Sequence, residues 1–221
     1  MLQLNNITKR FQDGERERTV LDSLSLTVDD GAFIAITGES GAGKTTLLSI
    51  MATLLDADAG VYTIDGTPVA SMDLSQVRNQ QIGIVFQDHR LLPQFTAVQN
   101  VLLPVLAQQA ECPKATYERA LQLMEWMSIR ALEKTPVGVL SGGEKTRVAI
   151  CRALINNPKV LLADEPTGQL DSDNAHTIAS LFQKVNSELH TTIVMVTHSD
   201  AMASVAHKVY RLENGKLEVR G

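Results

Sequence analysis

Gly38-Glu39-Ser40-Gly41-Ala42-Gly43-Lys44-Thr45 is the stretch on which the fold turns. It fits GxxxxGK[ST], a pattern in which glycines let successive backbone N–H groups turn inward around an anion. The flanks agree with that reading. Ala32 to Thr37 (AFIAIT) is a short, almost wholly apolar run, as expected of a strand covered on both faces. Lys44 to about Leu55 reads as a helix, so the loop meets a helix N-terminus and its partial positive charge. Lys44 then offers a point charge to β- and γ-phosphates, and the Thr45 hydroxyl a ligand for Mg²⁺. The bland alternative is a glycine-rich turn with one exposed lysine; a strand before and a helix after favour the phosphate loop. Alone, the loop says only "nucleotide phosphate" and leaves GTPase, kinase, recombinase and transporter ATPase open.

Composition narrows the field. The chain has 221 residues, 44% hydrophobic and 20% charged, which suits one large domain and argues against disorder. With Lys plus Arg at 20 against Asp plus Glu at 25, the net charge is −5, so a broad basic nucleic-acid face is not expected. Aromatics at 4% leave little for base-stacking platforms. The apolar run Val101 to Ala107 is short and interrupted by Pro104, far from the roughly 20 residues that span a bilayer. Met1 to Arg10 has no signal-type apolar core. Cys112 and Cys151 stand alone, without a CxxC pair, and predict neither metal nor disulfide. A cytosolic chain is expected, with any membrane role supplied by a partner.

Further along, Leu2, Leu4 and Ile7 form one strand-like apolar set, and Leu21, Leu24, Leu26 and Val28 a second. Gly14 to Arg18 between them reads as a polar turn. Buried strands are predicted at Ile82 to Phe86, Val160 to Ala163 and Thr192 to Thr197. Ala175, Ile178, Phe182 and Val185 recur at spacings of a helix. Strands alternating with helices predict an α/β fold with a largely parallel sheet. The stretch from about Asp88 to Pro158 reads as helices only, for example Ala115 to Met127, and as an inserted subdomain. Val209 to Val219 reads as a hairpin around Asn214-Gly215.

Two more segments bear chemistry. Val160 to Ala163 is an apolar strand that ends in Asp164 and Glu165. Asp164 would hold Mg²⁺ through water, and Glu165 would accept a hydrogen bond from an attacking water. Paired acids also simply end strands at solvent, which is the competing reading. Leu140-Ser141-Gly142-Gly143-Glu144 fits S-x-x-E, a helix capping box ahead of Val148, Cys151 and Ile155. Two glycines in a first helical turn are costly, and that cost makes sense if bare N–H groups must approach an anion. The chain already has one phosphate loop, so this second surface points to a nucleotide held by another subunit.

Residues 38–45, 87, 140–144, 160–165, 168–171 and 198 together resemble the ATP-binding-cassette (ABC) ATPases, whose signature is LSGGE. The resemblance covers essentially the whole chain. It implies an α/β P-loop NTPase fold, a RecA-like core with an antiparallel β subdomain, over residues 1–87 and 159–221, and an inserted helical subdomain over 88–158. It implies ATP and Mg²⁺, and a head-to-tail dimer with two ATP molecules between the phosphate loop of one copy and the signature of the other. Nucleotide contacts are then Phe11, stacked on adenine, with Gly38, Ser40, Gly41, Gly43, Lys44, Thr45 and Thr46, and Ser141, Gly142, Gly143 and Asp171 from across the interface. Thr45, Gln87 and Asp164 would attend the metal. Glu165, His198 and Gln87 would act on the attacking water and the γ-phosphate. The remaining histidines, His89, His176, His190 and His207, are expected on the surface.

Phe86-Gln87-Asp88, Leu91-Leu92-Pro93, Asn100-Val101 and Leu103-Pro104 resemble a group of separate ATPase subunits serving lipoprotein release, macrolide export and cell-division complexes. This implies a membrane permease as partner, a second copy as the other, no nucleic acid, and a place on the cytoplasmic side of the inner membrane. Leu91, Leu92, Phe95 and Val98 would either receive the permease or belong to the core. Departures from the group are Gln99 in place of glutamate, Lys145-Thr146 after the signature in place of paired glutamines, and Met51-Ala52-Thr53 in place of a glycine-containing segment. A DNA-repair relative would need a long inserted coiled coil and a translation-type relative two cassettes; neither fits in this length. A regulatory module would be expected to lack Glu165 or His198, and both positions are occupied.

Overall fold

The two apolar sets near the N-terminus become long paired strands. A computed structural model describes residues 1–14, 16–109 and 111–220. In it β1 (Leu2–Asp13) and β2 (Arg16–Val28) run antiparallel, with Leu4 opposite Leu26. Pairing extends into the polar segment, where Phe11 faces Arg18 and Asp13 faces Arg16. The turn expected over 14–18 therefore shrinks, because a two-stranded ribbon satisfies its backbone groups whatever its side chains. Glu15 lies outside the described residues. The chain then enters β3 (Phe33–Thr37) and α1 (Lys44–Met51). The helix ends earlier than the expected Leu55: Thr53 is left-handed at φ 55°, and Arg78 holds it by donating to the Thr53 carbonyl at 3.1 Å. The Tyr62 hydroxyl donates to the Met51 carbonyl at 3.1 Å, satisfying the helix end. Ala52 has ordinary right-handed backbone, so no glycine is needed there.

β4 (Ala59–Ile64) and β5 (Thr67–Pro68) complete a four-stranded sheet in the order β2-β1-β4-β5. Sequence alone gave no hint of them, because β4 is half exposed, starts with Ala-Gly, and pairs mainly with distant β1, its neighbour along the chain being the two-residue β5. After α2 (Leu74–Gln76) come β6 (Ile82–Val85), α3 (Ala97–Leu106), α4 (Lys114–Trp126) and α5 (Gly142–Leu154). Then follow β7 (Val160–Asp164), α6 (Ser172–Leu189), β8 (Thr192–Val196), α7 (Asp200–Ala203), β9 (Lys208–Glu213) and β10 (Lys216–Arg220). Six strands lie in the order β10-β9-β3-β8-β7-β6. All neighbours are parallel except the hairpin β9–β10, so the α/β expectation holds. That hairpin turns at Asn214 and Gly215, both at positive φ.

Strand side chains alternate between two cores, which is why apolar runs were unbroken. Val160 and Leu162 of β7 pack with Leu2, Leu26, Leu47 and Met51, between the two sheets. Leu161 and Ala163 pack on the opposite face with helices α3, α5 and α6. Phe182 of α6 is fully buried in that second core, and Phe182→Ala is expected to cost about 3–5 kcal/mol of stability, read by denaturant unfolding.

Between 88 and 158 the described residues carry only helices and one isolated bridge, Thr96 to Pro136; Ala110 lies outside them. α3 begins with an unforeseen capping box, Thr96 with Gln99, so glutamine serves where glutamate is usual. Buried Asn100 donates to the Leu92 and Thr96 carbonyls and accepts from the Leu92 N–H, fixing the loop before α3. Val98 is core, Leu91 packs beside it, and Leu92 is exposed. One expectation fails outright: His89 is buried, 7% exposed, because its loop folds under α5. No helix among the described residues is long and apolar enough to cross a membrane.

Candidate functional site

The glycine loop joins β3 to α1 as its sequence pattern requires. Gly43 caps α1 at φ 102°, and a Cβ there would stand 2.7 Å from Val20. Gly38, at φ 149°, lies so close to β9 that a Cβ would meet the Leu212 carbonyl oxygen at 2.4 Å. The loop is thus wedged between β2 and β9, and only glycine permits both the approach and the backbone turn. The Lys44 ammonium folds back on the loop and donates to the Gly38 carbonyl at 2.8 Å and the Glu39 carbonyl at 2.9 Å. Its charge is held at the mouth of the α1 N-terminus.

The Thr45 hydroxyl donates to the Asp164 carboxylate at 3.3 Å, joining the start of α1 to the end of β7. Asp164 is 9% exposed; burial pushes its carboxyl pKa up, against the pull of Thr45 and Lys44. Two hard oxygen donors facing each other beside a phosphate loop suit a small divalent cation. Next in the chain, Glu165 adopts left-handed backbone at φ 45°. Its N–H donates to the Val196 carbonyl at 2.9 Å, which ties the unusual turn to β8. Its carboxylate receives the His198 backbone N–H at 3.1 Å and contacts His198 Nδ1 at 2.8 Å. Side chains 33 residues apart are therefore held as a pair at the ends of two adjacent strands.

A cavity of about 710 Å³, within the usual range of ligand pockets, opens over the loop. Phe11, Gly38, Ser40, Gly41, Gly43, Lys44, Thr45, Thr46, Gln87, Glu165 and His198 all line it, as the sequence reading had grouped them. Asp164 borders a smaller neighbouring cavity that Gln87 also lines. Arg18 and Val20 line the main cavity too, and sequence reasoning missed both. Their signal was register: Arg18 sits opposite Phe11 on β2, and it donates to the Gly41 carbonyl at 3.2 Å.

The second predicted phosphate surface does not line this cavity. Ser141 caps α5, its hydroxyl oxygen accepting from the Glu144 N–H at 3.3 Å, and the Glu144 carboxylate accepts from the Ser141 N–H at 2.8 Å. The capping box is real; Gly142 and Gly143 open the helix with N–H groups that have no partner within it, Gly142 half-buried and Gly143 buried beside Asn174. Gly142 lies against Leu170, where a Cβ would approach to 2.9 Å. Asp171 caps α6, accepting from the Asn174 N–H at 2.9 Å, and these hydrogen bonds hold its carboxyl pKa down. None of Ser141, Gly142, Gly143 and Asp171 lines the cavity over the chain's own loop.

A family profile described as "ABC transporter" matches residues 21–168. The chain is 42% identical over 221 residues to the lipoprotein-releasing system ATP-binding protein LolD of Bacteroides thetaiotaomicron, covering 99% of each. It is 40% identical over 222 residues to the macrolide export ATP-binding/permease protein MacB of Syntrophobacter fumaroxidans, but spans only 31% of that longer protein. Among solved structures, the dimeric post-hydrolysis state of the ATP-binding cassette MJ0796 bound to ADP and Pi superposes with a TM-score of 0.89 at 36% identity, covering 99% of this chain and 97% of that one.

Proposed function

Because the chain belongs to the ABC transporter ATPase family, we propose that two copies clamp two ATP molecules and pass the motion to a separate membrane permease. Binding and hydrolysis of ATP are the chain's own activity. The observation that carries the dimer is the division of the site: the loop cavity has Lys44, Glu165 and His198, while Ser141 to Gly143 are not among the residues that line it. A head-to-tail partner would close each cavity with the α5 N-terminus of the other copy, adding backbone donors and a helix end to the γ-phosphate. The dimeric state of the MJ0796 cassette supports this reading.

Within the cavity, Lys44 would exchange its two carbonyl partners for β- and γ-phosphate oxygens, and Phe11 would stack on the adenine. Arg18, opposite Phe11, would secure the loop beneath the nucleotide. Thr45 and Asp164 would hold Mg²⁺ with help from Gln87, and among the described residues no three His, Cys, Asp or Glu side chains cluster as an independent metal site. Such an ion, when bound, neutralises charge on the β- and γ-phosphates. Glu165 would accept a hydrogen bond from the attacking water, while His198 holds the carboxylate in place and faces the γ-phosphate. Asp171 and Ser141 would read the nucleotide across the dimer. ATP can drive a permease only through different affinity for closed and open dimers.

We take residues 1–87 and 159–221 as the ATPase core and 88–158 as the helical subdomain that meets the permease, Gln87 sitting at the junction. Identity along the full length to LolD favours a lipoprotein-releasing or related force-transmitting complex over a solute channel. The chain would then lie on the cytoplasmic face of the inner membrane, attached through its permease, with no nucleic-acid partner given a net charge of −5. Affinity capture of the tagged full chain tests this: a multi-span membrane protein should co-purify, and recovery with ribosomes or DNA instead would reject it. Ser141→Arg should abolish hydrolysis while leaving ATP binding to the monomer intact, as measured by equilibrium binding and phosphate release. Loss of the fold in that variant, seen by circular dichroism, would mean that Ser141 serves only as the helix cap.

A further inference from the structure

The loop that leaves Gln87 is pinned to the signature helix by an arrangement that neither the phosphate site nor the capping box explains. His89 and Arg90 both have left-handed backbone, at φ 58° and 46°. Arg152 of α5 grips that turn, donating to the His89 carbonyl and to the Arg90 carbonyl, each at 2.6 Å. Inside the turn, His89 Nε2 lies 2.9 Å from the Thr146 hydroxyl oxygen, also on α5. That hydroxyl lies 3.1 Å from the Gly142 carbonyl, one helical turn back. A hydroxyl has a single hydrogen, so Thr146 donates either to the Gly142 carbonyl, with His89 Nε2–H donating to it, or to an unprotonated His89 Nε2. In either tautomer the threonine hydroxyl connects the His89 ring to the first turn of α5.

We infer that His89 and Thr146 are positioning residues that lock the Gln87 loop in register with the Ser141–Gly143 end of α5. One end of the relay is two residues from Gln87, which lines the loop cavity; the other is the glycine whose N–H opens α5. A shift of the loop on nucleotide binding therefore moves the surface offered to the second copy, or breaks a buried hydrogen bond. Unpaired buried polar groups are costly, so the two surfaces move together. Thr146 stands at one of the two positions after the signature where this chain departs from paired glutamines, and His89 reaches it because threonine is short. The inference rests on the proposed roles of Gln87 and of the α5 N-terminus.

The test is a double-mutant cycle on the full chain, following kcat and the KM for ATP alongside thermal unfolding. His89→Leu and Thr146→Val should each lower kcat roughly tenfold with KM changed less than about twofold, since a misplaced site loses rate rather than ground-state binding. The double variant should be no slower than the worse single one. Thr146→Ser and His89→Gln, which keep the hydroxyl and an N–H donor, should recover most of kcat. Unchanged kcat in His89→Leu, additive losses, or a kcat loss in Thr146→Ser equal to that of Thr146→Val would overturn the inference. Should the apolar variants fail to fold, the serine and glutamine variants still decide it: kcat near the parent value supports the relay, and a tenfold loss rejects it. Gln87→Ala separates the two readings: if it leaves kcat intact, the role of Gln87 fails; if it lowers kcat while His89→Leu does not, only the relay fails.

Discussion

Glu165→Gln should bind ATP as tightly as the parent, hydrolyse it about 10²–10⁴-fold more slowly, and accumulate as a dimer when ATP is present. The reason lies in how the side chain is held. The backbone of Glu165 is left-handed at φ 45° and anchored by its N–H to the Val196 carbonyl, and glutamine can adopt the same turn. The amide oxygen can still accept from the His198 backbone N–H, so the geometry survives. What disappears is the charge that would make the carboxylate a strong acceptor for the attacking water. With chemistry stopped and binding spared, the closed dimer should persist. Single-turnover phosphate release and size-exclusion chromatography with ATP read the two halves separately. Full turnover in this variant would remove Glu165 from the chemistry.

Lys44→Ala should weaken ATP binding about 100-fold and abolish measurable hydrolysis, on the scale of a lost charge-assisted hydrogen-bond pair. In the present structure the ammonium is held by the Gly38 and Glu39 carbonyls, which places it at the mouth of α1. Alanine leaves those carbonyls to water at a partly exposed site, so the fold should tolerate the change. Fluorescent-nucleotide titration together with a thermal melt distinguishes lost binding from lost structure. Unchanged affinity would sink the phosphate-loop assignment, whereas a collapsed melt would show that the lysine braces the loop.

Some features of this site were legible because they are local along the chain. The turn at Gly38 to Thr45 needs glycine at set intervals, and any sequence that builds it must display them. The capping box of Ser141 and Glu144 is a three-residue relation, and the structure shows both of its hydrogen bonds. Strands covered on both faces must be apolar throughout, so β3, β7 and β8 announced themselves. β4 did not, since half-exposed strands carry no such constraint and its pairing is mainly with a distant strand. His89 was misplaced for a related reason: a polar residue in a loop is ordinarily solvated, and only the packing of that loop beneath α5 buries it.

What the sequence by itself determined is the set of groups and the local turns that present them: a phosphate loop, two acids at a strand end, a glycine-rich helix start. Tertiary structure alone decided which of them meet. Thr45 reaches Asp164 across 119 residues because β3 and β7 flank β8 in one parallel sheet, and His198 reaches Glu165 because β7 and β8 are neighbours. The same packing leaves Ser141 to Gly143 outside the cavity over the chain's own loop, so under the proposed function they would serve the nucleotide of a second copy, as expected from their sequence. Local spacing is fixed by covalent geometry; proximity between distant segments is fixed by which apolar faces bury one another.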